Sequence, residues 1–208
     1  MIAEFVRFLA TAPVSASEPS FSSLVVQPVD ASQPPLAEWD LRGRRYGAPE
    51  VAALAAQHLN TDTAFFVGAK WDLWTFDADK VTWQQQPQPL LLICHGPAYD
   101  EGTAEYSGHF VADLGFEHLF TGHGGLLAPA LTSNPFASSD HPLEHTFRRW
   151  MSEAGNLKEY HAKTRENIQL LFNWVEAIER ALPVERSELS SEGEENFEAR
   201  LDAIAAQR

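Results

Sequence analysis

Apolar positions at the N-terminus recur at helical spacing and predict a short helix. One face of this helix carries Ile2, Phe5, Val6 and Leu9. Residues 13–22 are rich in Ser and Pro and predict a loop, whereas residues 23–30 (SLVVQPVD) predict a strand. Helical spacing returns in residues 49–59, which predict a second helix.

The hydrophobic period then changes to two, which predicts strands. One face of the first strand carries Val67, Ala69, Trp71 and Leu73. Polar residues 77–80 (DADK) predict a hairpin turn between two apolar segments. The side chains expected to pair across this hairpin are Trp74, Phe76, Val81 and Trp83. Residues 84–89 interrupt the alternation and are expected to end the strand.

Three further strands are expected in the middle of the chain. Residues 90–95 form a continuous apolar run that predicts a central strand buried on both faces. Residues 109–113 and 116–120 predict two short strands, with Gly115 in a turn or bulge between them.

The C-terminal third carries a helical pattern. Apolar residues spaced by three or four between positions 157 and 182 predict a long amphipathic helix, capped by Asn156 and ended by Pro183. Ser191 and Glu194 match a capping box. They precede a last helix, whose apolar positions are Phe197, Leu201 and Ile204.

These elements predict an α+β fold. We expect a mixed, mostly antiparallel sheet of about five to six strands, packed by an N-terminal helix, a short middle helix and the long C-terminal amphipathic helix. Residues 1–183 are expected to form a single domain, and residues 184–208 an acidic linker and C-terminal helix.

Composition limits the partners. The chain has 15 Lys and Arg against 29 Asp and Glu, a formal net charge of −14. Nucleic acid and anionic membranes are disfavoured, because affinity for phosphate backbones comes mainly from Lys and Arg. A basic protein partner fits this charge, while the alternative is a charge that serves solubility alone. No apolar run approaches the roughly eighteen residues that a membrane span requires.

Cysteine usage favours the cytoplasm. Cys94 is the single cysteine, so an intramolecular disulfide is impossible and a reducing compartment is expected. It ends a run of apolar residues and is interpreted as buried and inert rather than nucleophilic. The N-terminal apolar stretch lacks a basic segment and is broken by Glu4 and Arg7, which favours a helix over a signal peptide.

Histidines supply two hypotheses for a divalent metal site. His109, His118 and His123 lie in the strand-rich region with Glu117, and some of these side chains could converge on a metal if the two strands there form a hairpin. His141 and His145 belong to the segment HPLEH, which matches the H-x-x-E-H pattern of inverzincin metallopeptidases. The alternative is that these histidines are ordinary hydrogen-bonded residues.

Aromatic residues of the hairpin indicate a binding surface formed by Trp71, Trp74, Phe76 and Trp83. A sheet covered on one side leaves one of the two hairpin faces exposed. Strong negative charge and these aromatics favour a non-enzymatic binding protein of the adaptor, inhibitor or immunity type. The alternative is a metal-dependent hydrolase that uses the histidines.

Overall fold

A five-stranded sheet runs through the part of the chain that the structure describes. The computed structural model describes residues 1–30, 32–77, 79–102, 109–115, 117–122, 142–192 and 196–206. Its strands are β1 (Ser23–Pro28), β2 (Ala37–Asp40), β3 (Thr63–Asp77), β4 (Thr82–His95) and β5 (Phe110–Asp113). Their order is β2-β1-β3-β4-β5. The pairs β1–β2, β1–β3 and β4–β5 are antiparallel, and β3 is hydrogen-bonded to β4, which follows it in the chain.

Helices complete the α+β fold and confirm the predicted class. They are α1 (Ile2–Thr11), α2 (Ala48–Ala55), α3 (His118–Thr121), α4 (Pro142–Met151), α5 (Ala154–Ala181) and α6 (Phe197–Ala205). The N-terminal, middle and long C-terminal helices of the prediction correspond to α1, α2 and α5. In the described ranges, no helix combines the length and apolar character that crossing a membrane demands.

The chain divides into two compact units, each built from separate segments. Unit 1 comprises Met1–Asp72, Pro87–Gly115 and Trp174–Val184, and unit 2 comprises Leu73–Gln86, Phe116–Asn173 and Glu185–Arg208. The long elements β3, β4 and α5 each contribute residues to both units. The boundary expected at residue 183 stays a prediction.

The core of unit 1 lies on the face of the sheet that α1 covers. Alternation in β3 buries Val67, Ala69 and Trp71 there, as the period of two predicts. From α1, Phe5 stacks on Phe65 with 5.7 Å between ring centroids. Helix α1 therefore covers the sheet because its apolar stripe meets the buried side of β3.

Unit 2 has its core around α5 and the adjoining helices. The buried side chains of α5 in this unit are Tyr160, Thr164, Asn167, Ile168 and Leu171. Helix α3 buries Leu119 and Phe120, and α6 buries the three apolar residues that its spacing predicts, Phe197, Leu201 and Ile204. The amphipathic patterns of α5 and α6 thus face a real core.

The edge of β3 beyond its pairing with β1 is occupied by other groups. In unit 1, Ser15 N donates to Lys70 O at 2.7 Å, and Ser15 Oγ donates to Asp72 at 2.6 Å. In unit 2, Asn167 Oδ1 accepts from Trp74 N at 2.9 Å, while Asn167 Nδ2 donates to Trp74 O at 3.0 Å. Backbone groups that would otherwise invite a foreign strand are satisfied within the chain.

Residues 84–89 do not end the hairpin as predicted, because β4 continues through them. His95 N donates to His109 O on the β5 side at 2.9 Å, and strand parity places the nitrogens of Pro87 and Pro89 on that same side. On that side of β4, the pairing with β5 covers residues 91–94 and does not reach the two prolines. The prolines are tolerated because no described strand needs an N–H from them.

Residues 90–95 form the expected internal strand segment, but only one of its faces is fully buried. Leu90, Leu92 and Cys94 are at most 2% exposed, whereas Leu91 and Ile93 on the opposite face are half-buried. The continuous apolar run therefore predicted full burial of both faces, whereas the face of Leu91 and Ile93 is half-buried.

Two other local predictions are wrong. Residues 116–120 include the start of helix α3 rather than a strand, since a short apolar run does not distinguish the two. Asn156 lies inside α5, where its Nδ2 donates to Trp150 O at 2.8 Å. The capping box predicted from Ser191 and Glu194 includes Glu194, which lies outside the described residues. The N-cap of the last helix is Asn196, whose side chain accepts from Ala199 N at 3.4 Å.

Candidate functional site

Aromatic side chains of unit 2 meet at the hairpin end of the sheet. Phe76 of β3 lies 4.5 Å from Trp150 and 5.2 Å from Phe147 of α4, measured between ring centroids. Trp83 of β4 lies 5.5 Å from Phe76 and 5.4 Å from Tyr160 of α5. We call these five residues the aromatic cluster. Tilted and edge-on rings at such distances attract one another.

Burial is uneven within the aromatic cluster. Phe147 and Tyr160 are buried, at 8% and 4% exposed, and anchor the cluster to the core. Phe76, Trp83 and Trp150 are half-buried and reach the surface. Trp83 Nε1 is itself buried and has no hydrogen-bond partner among the described residues. A buried indole N–H without an acceptor is uncommon.

Beside the cluster, Trp74 is held on both its backbone and its ring. Asn167 binds the backbone N–H and C=O of Trp74, as described above. Lys163 Nζ lies 3.5 Å from the centroid of the Trp74 ring and 3.0 Å from Glu166 Oε1. The ammonium group therefore rests on the face of the indole, a cation–π contact.

The tip of the hairpin is fixed by one carboxylate. Asp77 Oδ1 accepts from the backbone N–H groups of Asp79 and Lys80 at 3.1 Å each. Asp77 Oδ2 accepts from Lys80 Nζ at 2.9 Å and from Gln84 Nε2 at 2.8 Å. The hydrogen bonds from Lys80, and then that from the backbone of Asp79, lower the pKa of Asp77.

Val81 follows this tip in a strained conformation. Its φ is +52°, in the left-handed region that a β-branched residue rarely adopts. Its side chain is 44% exposed. A strained, exposed apolar residue is costly, and such strain is often found at binding sites.

Three of the four residues of the predicted binding surface lie in the same unit. Trp74, Phe76 and Trp83 lie in the hairpin segment of unit 2. Trp71 instead packs in unit 1, where it is 5% exposed and its ring meets Trp174 edge-on at 5.5 Å. It leaves the surface because it shares the buried face of β3.

The predicted binding surface did not include the residues that helices contribute to the cluster. Phe147 and Trp150 are spaced by three on α4 and share one side of that helix. This spacing indicates an aromatic face. Their proximity to Phe76 is a tertiary contact, which local pattern does not encode.

The candidate metal ligands lie in several places. His109 is exposed in unit 1, and its Nδ1 lies 3.5 Å from His95 O. His118 begins α3 in unit 2. His123 and His141 lie outside the described residues, as does the side chain of His145.

No metal centre is formed by the side chains that the structure describes. Within them, no group of three or more His, Cys, Asp or Glu residues is arranged to hold a metal ion. The set of His109, His118 and His123 and the pair of His141 and His145 stay predictions, since each includes residues beyond the described ones.

Cys94 lies in the core of unit 1. Its side chain is fully buried, and this burial raises the pKa of the thiol to about 12. The thiol is therefore protonated at neutral pH. A protonated thiol is a poor nucleophile, so catalysis by Cys94 is not supported.

Comparison with known proteins adds no function. No protein-family model, no curated protein and no solved structure matches this chain. The functional assignment therefore depends on the aromatic cluster, its neighbours and the charge of the chain.

Proposed function

We propose that this chain is a non-enzymatic binding protein that docks a basic protein on the aromatic cluster and Val81. One observation carries the proposal: the half-buried rings of Phe76, Trp83 and Trp150 contact one another, and the strained, exposed Val81 precedes Trp83 by two residues in the same hairpin. Tryptophan side chains dominate the energetics of many protein interfaces, because they bury a large apolar area at small entropic cost.

The expected partner is basic because the chain as a whole is strongly acidic. Asp77 and Asp79 stand at the hairpin tip, where Lys80 pairs with Asp77, and the whole chain has a formal charge of −14. Complementary charge speeds association and disfavours acidic partners. An adaptor, inhibitor or immunity-type role accommodates such a surface.

The test compares Val81→Gly with Val29→Gly in partner capture. Glycine adopts a positive φ without strain, so Val81→Gly removes the exposed side chain while leaving the fold as stable or more stable. Val29 is similarly exposed, at 41%, and lies in unit 1 outside the cluster. The pair thus separates the site from a general loss of apolar surface.

We expect the wild-type chain and Val29→Gly to retain one basic protein from the source cells. After purification, that protein should bind Val81→Gly roughly fivefold more weakly in calorimetry. Raising NaCl from about 50 to about 300 mM should weaken binding of the wild type. Retention of an acidic protein, or equal affinity for both variants, would contradict the proposal.

A further inference from the structure

An arginine-rich loop stands out in unit 1. Residues 41–45 (LRGRR) follow β2 and contain three of the six Lys and Arg residues found in this unit, which has 14 Asp and Glu. Gly43 has a φ of +88°, which allows the loop to reverse direction. Among the described residues, no atom beyond its chain neighbours lies within 4 Å of the position that a Cβ would take. Positive charge is therefore concentrated at one place on an acidic protein.

The loop forms one wall of a groove whose other wall is the segment 18–22. The groove has a volume of about 270 Å³, and both walls supply its lining. A water molecule occupies about 30 Å³ in the liquid, so a small anion fits. Its floor includes Phe21 and Leu41, which are buried.

Hydrogen bonds hold the two walls together. Ser20 Oγ donates to Arg44 O at 3.3 Å and accepts from Tyr46 N at 3.0 Å. Leu41 N donates to Ser22 O at 3.0 Å. The arginine side chains therefore extend from a backbone that is fixed against the opposite wall.

The three guanidinium groups differ in what they contact. Arg42 binds Asp40 through two hydrogen bonds, of 2.9 and 2.7 Å. Arg44 Cζ lies 5.1 Å from the Tyr46 ring centroid. In the described part of the chain, no carboxylate pairs with Arg44 or Arg45.

The carboxylate nearest the groove is engaged elsewhere. Glu18 lines the groove, but its Oε1 accepts from Lys70 Nζ at 2.7 Å. Arg44 and Arg45, which line the groove, therefore have no carboxylate partner among the described residues, and Lys70 compensates Glu18. Such an excess of positive charge favours an anionic ligand.

We propose that this groove binds the phosphate group of a small soluble molecule. Guanidinium groups form charge-assisted, paired hydrogen bonds to phosphate oxygens, and a dianion with several oxygens suits more than one arginine at once. This site is separate from the aromatic cluster and goes beyond the proposed function. It involves no chemical step, only binding.

The test titrates the full-length chain with inorganic phosphate and with pyrophosphate at constant ionic strength. NMR shifts of the arginine Nε–H groups report binding at the groove. Arg44→Gln and Arg45→Gln remove one groove charge each. Arg180→Gln is the matched control, since Arg180 is exposed in the same unit and pairs with Glu176 away from the groove.

We expect saturable shifts with both probes, weakened roughly tenfold in each groove variant, which is the loss expected for one charge-assisted hydrogen bond. The control should bind as tightly as the wild type. Absence of saturation up to about 50 mM phosphate, or equal weakening in Arg180→Gln, would overturn the proposal. Binding only to vesicles of phosphatidic acid, and to neither soluble probe, would also overturn it.

Discussion

Replacing Asn167 with alanine is the sharpest test of how unit 2 is held together. Asn167 is 1% exposed and makes three hydrogen bonds. Two join it to the backbone of Trp74, and the third runs from Nδ2 to Leu119 O at 3.0 Å. One side chain therefore ties α5 to both β3 and α3.

The expected cost follows from the groups left behind. Asn167→Ala strips the side-chain partner from the buried C=O group of Leu119 and from the part-buried N–H and C=O groups of Trp74. An unsatisfied buried group costs about 1–3 kcal/mol, so three cost about 3–6 kcal/mol if water enters the vacated space and limits each loss. A typical domain is stable by only about 5–15 kcal/mol.

Urea unfolding followed by circular dichroism measures this loss. With a slope of about 2 kcal/mol per molar urea, the midpoint should fall by about 1.5–3 M. Asn173→Ala is the control, because Asn173 lies on the same helix, is exposed and, among the described residues, its side chain accepts from exposed Gln169. It should change stability by less than about 0.5 kcal/mol.

Unfolding of both alanine variants at the same urea concentration with the same slope would contradict this role of Asn167. A loss of less than about 1 kcal/mol in Asn167→Ala would contradict it too, because the three hydrogen bonds would then have been replaced at no cost.

Three further predictions concern single sites. Since burial raises the pKa of Cys94 to about 12, a thiol reagent at pH 8 should label it far more slowly in the native state than in urea, and equal rates would contradict this. Gly96→Ala should lower the midpoint of urea unfolding by about 1 M or more, because the new Cβ would lie 2.4 Å from a backbone oxygen. Gly155→Ala, in open space on α5, should instead stabilise by about 0.5–1 kcal/mol, and the same sign for both would refute the geometry. Hydrogen bonds from Arg42 lower the pKa of Asp40 to about 2. The ion pair should therefore persist above that pH and be lost as the pH falls through it. An NMR titration in which the carboxyl carbon of Asp40 shows an ordinary aspartate pKa would contradict the pairing.

The spacing of apolar residues along the chain was sufficient to predict the elements in which buried positions recur at a regular interval. Alternation in β3 predicts which residues face the core, and the spacing along α5 predicts a long helix that ends before Pro183. Both succeed because one continuous face is buried along the element, so period and burial coincide.

Pattern failed where a neighbour decides the structure. Pro87 and Pro89 interrupt the alternation, yet β4 continues because no described strand pairs there on the β5 side. Residues 118–121 form a helix although their apolar run is short enough for a strand. In both places, tertiary context overrides local preference.

The candidate site was likewise half predictable. Trp74, Phe76 and Trp83 follow from hairpin pairing, which is a local relation. The contribution of Trp150 depends on α4 meeting β3, about 70 residues apart in sequence, and the strain at Val81 depends on the exact path of the turn. Neither the contact of Trp150 with β3 nor the strain at Val81 produces a periodic pattern in the sequence.

The two prolines of β4 have a consequence for how the protein behaves at high concentration. A second copy adding a strand beside residues 87–89 would meet two positions without an N–H, so it would lose two hydrogen bonds worth about 0.5–1.5 kcal/mol each. The flank of β4 is thereby protected against edge-to-edge aggregation while the chain folds. Replacing both prolines with valine would restore two N–H donors on this side and favour pairing with a strand of a second copy.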